Sequence, residues 1–206
     1  MTAIVQYSPE WFALRLGKVT ASRVADVVAK TKTGWGTSRA NYMAQLIAER
    51  LTGEAQESYT NAAMQWGIEK EPDARAAYEF RTDAAVLPVG FIEHSMIADT
   101  GASPDGLIGD DGLVEIKCPN TATHIDTLLG QTVPVKYITQ MQWQMACAGR
   151  KWCDFVSFDP RMPEAMRLFV HRVHRSEERI SELGGEIIEF LAEMNHKIAE
   201  LKKSYA

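Results

Sequence analysis

The sequence is poor in everything that would place it in a membrane, a secreted scaffold or a repeat array. No apolar run approaches the ~20 residues of a membrane span. The opening Met1-Thr-Ala-Ile-Val-Gln lacks a charged region with an apolar core behind it, so no secretory leader is expected. Only three cysteines occur, Cys118, Cys147 and Cys153, and none forms a CxxC pair. Three thiols cannot all pair internally, which argues against a disulfide framework or a cysteine zinc site and leaves buried, inert thiols. Repeats, low-complexity tracts and linkers are missing too, so the 206 residues are expected to form one domain over 1–206. Together these absences predict a soluble, cytoplasmic protein with no membrane partner.

A surplus of positive charge is also lacking, since the net charge is −5. The charge is unevenly placed, however. Within residues 1–40, Arg15, Lys18, Arg23, Lys30, Lys32 and Arg39 outnumber Glu10 and Asp26. Residues 176–206 carry seven acids against Arg179, Lys197, Lys202 and Lys203. A basic end and an acidic end fit a protein that holds phosphates at one surface only; the plain alternative is uneven solvation.

What is present is ordinary globular composition, 46% apolar and 24% charged, arranged as helices first and strands later. Ser8-Pro9-Glu10 predicts an N-cap and a short helix through Arg15, stopped at Gly17. Thr20 is expected to cap a second helix with Val24, Val27 and Val28 on its apolar face. A third runs from about Thr37 to Leu51 with Gly53 ending it, and a fourth from about Thr60 to Phe80, reset at Pro72. Ala85–Ile92 reads as a strand, Val135–Ala148 as a helix, and Cys153–Phe158 and Met166–Val173 as two more strands. Ser176 to about Lys203 sets Ile180, Leu183, Ile187, Leu191, Met194, Ile198 and Leu201 on one stripe of a long amphipathic helix. The expected class is α/β or α+β, with a mixed sheet and a crossover helix.

The most informative stretch is Ser103-Pro104-Asp105-Gly106, followed by Glu115-Ile116-Lys117. Gly109-Asp110-Asp111-Gly112 is a turn cluster between two apolar runs, so the segment predicts a β-hairpin. Strand alternation puts Glu115 and Lys117 on one face and turns Val114 and Ile116 into a core. Asp105 comes alongside Glu115 from the neighbouring strand. Two converging carboxylates suit a divalent cation such as Mg²⁺, and the adjacent ammonium is placed to orient a water or steady charge on a phosphate. The plain alternative is a solvated hairpin edge. His171 and His174 lie three apart on a presumed strand, on opposite faces, and are not a metal pair.

Six collinear motifs carry a likeness over Trp11 to Val173. They are Arg15-Leu-Gly-Lys-Val-Thr-Ala-Ser22, Trp66-Gly67 with Glu71-x-Asp73-Ala-Arg75, Ser103-Pro-Asp-Gly106, Glu115-Ile-Lys-Cys-Pro119, Gln140-Met-Gln142 and Phe158-Asp-Pro-Arg-Met162. In this order they resemble the lambda-exonuclease-like, YqaJ-type viral recombinase family of the PD-(D/E)xK nucleases. The resemblance implies a restriction-endonuclease-like core: a central mixed sheet flanked by helices, with N-terminal helices and a long C-terminal one. It implies a Mg²⁺-dependent exonuclease, with two ions per site and Mn²⁺ as a substitute. Such an enzyme degrades one strand of linear duplex DNA processively from a 5′-phosphorylated end to mononucleotides. It further implies a ring-shaped homotrimer, a phage single-strand annealing protein as partner, and a phage or prophage origin within a bacterial host.

By the same resemblance, Asp105, Glu115 and the Ile116 carbonyl are metal ligands, Lys117 stands beside the nucleophilic water, and Glu71 serves a second metal directly or through water. Arg15, Ser22, Ser103 and Gln140 fall where the family holds the terminal 5′-phosphate. An arginine fork and hydroxyls suit a phosphate dianion. Trp11 aligns near the DNA end, for base stacking or for packing. Lys32 stands where arginine is expected, giving a point charge in place of a fork. Thr123, next to His124 on the loop after the active-site strand, also replaces an arginine. Two other readings stand beside the exonuclease: an endonuclease or junction resolvase on the same core, and a non-catalytic DNA-binding module that partners an annealing protein.

Overall fold

The computed structural model describes residues 4–56 and 62–205. Helix α1 (Pro9–Arg15) starts as expected, with Ser8 Oγ accepting from Trp11 N at 3.2 Å. Its C-terminal turn is fixed by Gly17 at φ +67°, whose amide donates to Glu49 Oε2 at 2.9 Å. A Cβ at Gly17 would lie 2.7 Å from Arg50 Cγ, so the position requires glycine on two counts. Strand β1 (Val19–Thr20) follows, then a 3₁₀ turn (Ala21–Arg23) and the single-turn helix α2 (Val24–Val27). Thr20 does not cap that turn with its side chain, because it is a strand residue paired with Gly101. A small hairpin, β2 (Lys30–Thr31) and β3 (Gly34–Trp35), leads into α3 (Thr37–Thr52), which ends at left-handed Gly53.

Helix α4 (Ala62–Thr82) runs on without a break at Pro72. The residue is exposed, and the buried Ala74 and Tyr78 on the inner face anchor the helix beyond it. Packing outweighs one lost backbone hydrogen bond. The expected start near Thr60 lies outside the described residues. The strand expected over Ala85–Ile92 is two short ones, β4 (Val86–Leu87) and β5 (Ile92–Glu93), in different sheets. Pro88 lies between them and cannot donate to a ladder.

Three more strands complete the centre: β6 (Thr100–Ala102), β7 (Gly106–Ile108) and β8 (Gly112–Lys117). The chain then crosses over through α5 (Thr121–Gly130) and α6 (Val135–Ala148) to β9 (Trp152–Phe158). It returns through a 3₁₀ turn (Glu164–Met166) to β10 (Leu168–His174), so this strand begins two residues later than expected. The main sheet has the order β10-β9-β8-β7-β4 and is mixed: β8 and β9 are parallel, the other neighbours antiparallel. A smaller sheet, β1-β6-β5, sits at the N-terminal side.

Alternation along the main sheet sorts its two faces. Val114, Ile116, Val156 and Phe158 cluster with Ala74 and Tyr78 of α4. Leu113, Cys153, Phe155 and Phe169 cluster with Met141 and Met145 of α6. Both faces are covered, as parallel pairing usually requires. Helix α7 (Glu177–Tyr205) lays Leu183, Ile187, Phe190, Leu191 and Met194 against Tyr42, Met43 and Leu46 of α3 and Trp143 of α6. Leu201, at the end of the stripe, emerges into solvent. The three cysteines are buried and free, and burial pushes the thiols of Cys118 and Cys147 up to about 12. Among the described residues no helix is long and apolar enough to cross a membrane.

Candidate active site

Asp105 occupies the residue before β7, where the chain turns out of Pro104 into the hairpin with β8. Its Oδ2 accepts from Ile116 N at 2.6 Å, which ties it across the hairpin to the residue between Glu115 and Lys117. The predicted convergence of Asp105 with the Glu115-Ile-Lys117 strand is therefore built. Burial first, and then the charges of Glu115 and Glu71, push the Asp105 carboxyl well above the usual range; Lys117 and the Ile116 amide oppose this.

Glu115 is 1% exposed and points to the α6 side of the sheet. Gln140 Nε2 donates to its Oε1 and Gln144 Nε2 to its Oε2, each at 2.6 Å. The two glutamines sit one helical turn apart on α6, so one helix face grips both carboxylate oxygens. Lys117 pairs with the same Oε1, its ammonium 5.4 Å from the Tyr137 ring centroid. Burial disfavours that charge, but the Glu115 and Asp105 carboxylates outweigh it and raise the Lys117 pKa, so Lys117 remains an ammonium.

Beside this cluster lies a cationic corner. Ser103 Oγ accepts from Trp11 Nε1 at 2.9 Å and from Arg15 Nη1 at 3.1 Å, and the Arg15 guanidinium lies 4.0 Å from the Trp11 ring centroid. Burial pulls the Arg15 pKa down from its ordinary value, against Tyr42, Tyr7 and Glu49, and still leaves it a cation. Ser22 is exposed, with its Oγ 3.3 Å from Thr20 Oγ1. Trp11 is 6% exposed, with Arg15, Tyr7 and Phe12 around its ring, and its indole N–H is committed to Ser103. It orders the corner and has little surface left for a base.

The remaining residues separate. Glu71 stands on α4, which packs on the opposite face of β8 from α6, and accepts from Arg75 Nη2 at 2.6 Å. Its charge still reaches Asp105. Lys32 is exposed in the β2–β3 turn, whose Lys30 is anchored to Glu186 of α7 at 2.6 Å. Thr123 lies in the first turn of α5, a helix where a loop was expected, and its amide donates to the Asn120 cap at 2.9 Å. His124 is fully buried, bridging Ser157 Oγ and the Met166 carbonyl, and does not reach the surface. Sequence reasoning missed Gln144, although its spacing four residues after Gln140 was a usable signal. It also missed Tyr7, which no pattern marks.

Among the described residues, no three His, Cys, Asp or Glu side chains gather closely enough to cage a metal unaided. The donor set still fits a hard divalent cation. Asp105, half-buried, and Glu115, buried, are two carboxylates in mutual repulsion, and a cation between them would relieve it.

Residues 10–151 match the model of the YqaJ-like viral recombinase domain. The chain belongs to this family. Among solved structures it resembles LHK-Exo in complex with dAMP, at 55% identity and a TM-score of 0.91, with 96% of this chain and 97% of that one covered. An alkaline exonuclease, LHK-Exo, from Laribacter hongkongensis matches at 54% identity and a TM-score of 0.90, with the same coverage. A phage-related exonuclease from Haemophilus somnus 129PT shares the fold at 16% identity, a TM-score of 0.74, and coverage of 89% and 96%. No curated protein sequence matches significantly. Membership in the YqaJ-like family, with its alkaline exonuclease structures, supports a nuclease function and a fold with a restriction-endonuclease-like core.

Proposed function

We propose that the chain is a Mg²⁺-dependent 5′→3′ exonuclease that removes mononucleotides from one strand of linear duplex DNA, in phage-type recombination. The observation that carries this is the adjacency of two unlike sites. The Arg15–Ser103 corner suits a terminal phosphate, and Asp105 begins a hydrolytic cluster only two residues further along the chain. In this reading Arg15, Ser103 and Ser22 hold the 5′-phosphate while the next phosphodiester lies over Asp105, Glu115 and Lys117. Mg²⁺ held by Asp105, Glu115 and the Ile116 carbonyl, with Glu71 nearby for a second ion, would supply charge neutralisation and an activated water. Gln140 and Gln144 fix the Glu115 carboxylate. Lys117, an ammonium, orients the attacking water and donates to the phosphoryl oxygens as charge grows on them.

Water adds to phosphorus, the bond to the 3′-oxygen breaks, and that oxygen leaves on the released 5′-mononucleotide. The phosphate stays on the shortened strand as a new 5′-phosphate, ready for the Arg15 corner. A 5′-mononucleotide, dAMP, accompanies LHK-Exo in its complex, which agrees with that product class. The ring-shaped homotrimer, the annealing-protein partner and a bacterial cytoplasm belong to the same proposal, through the family likeness.

The test is digestion of 5′-phosphorylated linear duplex beside a closed circle, with Mg²⁺ and with EDTA. Loss of the linear DNA alone, with Mg²⁺ alone, is expected, with mononucleotides released and the complementary strand left. Cutting of the circle overturns the exonuclease reading in favour of an endonuclease. Arg15→Ala is expected to abolish the preference for phosphorylated over hydroxyl ends, roughly 10-fold or more by loss of a charge-assisted contact.

A further inference from the structure

Tyr7 is not glycine, yet it holds φ +68°, the left-handed region that side chains with a Cβ avoid. The turn around it is closed by Ser8 N donating to the Val5 carbonyl at 3.2 Å, with Tyr7 at the third position, where glycine is the usual residue. The strain is imposed from both sides. Gln6 Nε2 donates to the Val89 and Pro104 carbonyls at 2.9 and 2.8 Å, and Ser8 caps α1, whose Trp11 is bound to Ser103. Tyr7 is thus clamped against the Ser103-Pro104-Asp105 segment, between the cationic corner and the acidic cluster. Its ring meets Trp11 at 5.3 Å with a 45° tilt, and the residue as a whole is 48% exposed. In contrast to Trp11, it has a face to offer.

Resting on the exonuclease reading, we propose that Tyr7 is the stacking platform for the terminal base and a positioning residue for its removal. Ser103 and Asp105 are two residues apart, so their α-carbons lie at most about 7 Å from each other. A strand with its 5′-phosphate at Ser103 and its next phosphodiester at Asp105 places a single nucleotide between them, at Tyr7. An aromatic face takes any base, because every base presents a π-surface. The phenol lies within the field of the acidic cluster: burial first, then the charges of Glu71 and Asp105, push it up to about 12. With its base held by stacking, the terminal nucleotide cannot swing the 3′-oxygen of its sugar out of line with the attacking water.

The experiment compares Tyr7→Phe, Tyr7→Leu and Tyr7→Gly with the unaltered chain. Glycine is at ease at φ +68°, so the Tyr7→Gly chain is expected to melt no lower than its parent, which removes misfolding as an explanation. Phenylalanine is expected to keep KM, while leucine and glycine raise it roughly 5- to 100-fold, with kcat at saturating DNA changed less. In a Lys117→Ala background, fluorescence of 2-aminopurine at the 5′-terminal position of a phosphorylated duplex is read on binding with Mg²⁺. Equal quenching in the parent and the Tyr7→Phe chain, lost with leucine and glycine and absent when the probe sits at the third nucleotide, supports the platform. Equal KM and equal quenching in the leucine and glycine chains overturn it. A chain that binds and quenches but digests nothing, before any Lys117 change, defeats the exonuclease reading and leaves the stacking result standing on its own.

Discussion

At the level of single residues, the centre depends on how Glu115 is held. A carboxylate 1% exposed is tolerated only when its oxygens are satisfied, and three donors from Gln140, Gln144 and Lys117 do that. Replacing Gln144 by Leu strips one oxygen of its partner, and chemical denaturation is expected to show a loss of about 1–3 kcal/mol. Lys117→Ala is expected to lower kcat roughly 10²- to 10³-fold with little change in DNA affinity, read by single-turnover digestion. The sequence already marked Asp105, Glu115 and Lys117, because a strand's period of two fixes which side chains share a face. Gln140 was marked too, for a phosphate; its amide reaches Glu115, a contact that depends on where α6 docks and not on spacing. Tyr7 was invisible because its importance lies in a backbone dihedral.

Among the elements, long periodic ones were legible and short ones were not. Val135–Ala148 matches its expected bounds, and α3 and α7 differ by one or two residues, because burial repeats over several turns. β1 to β5 have two residues each, too few for any periodicity to register. Helix α5 has no counterpart in the sequence reading, where the family likeness gave a loop at Thr123; Thr121, Thr123 and Thr127 are weak helix formers, although Asn120 was a usable cap signal. One carboxylate joins this helix to the sheet. Asp159, at the end of β9, accepts from Thr121 Oγ1 at 2.7 Å and from Arg161 Nε and Nη2 at 2.7 and 2.9 Å. Burial opposes its charge, but these donors pull its pKa down to about 2. A depressed folded pKa stabilises the fold above the unfolded value of about 4, and that contribution is lost as pH falls from about 4 to about 2. It amounts to at most about 2 kcal/mol, reduced by solvent screening at the half-exposed Arg161. Asp159→Asn is expected to lower stability at pH 7 and flatten the acid limb of a pH–stability curve measured in urea.

Across the whole molecule, the mixed sheet and its crossover followed from the order of helical and strand patterns, since parallel neighbours need a long connection. The placing of β4 and β5 in different sheets did not follow, because each is two residues long with Pro88 between them. The same architecture gives the buried thiols a use. Cys118 directly follows Lys117 and is 8% exposed, with burial and the nearby Glu71 and Asp105 holding its thiol at about 12. Only the thiolate alkylates, so iodoacetamide at pH 8 should find it almost inert while the end of β8 is closed. Labelling of Cys118, read by mass spectrometry, then becomes a clock for opening of the strand that bears the reactive groups. Cys153, fully buried within β9, is expected to label only with global unfolding, and Cys118 earlier if the catalytic strand frays on its own. A built-in pair of stopwatches therefore separates breathing of the cutting edge from collapse of the body.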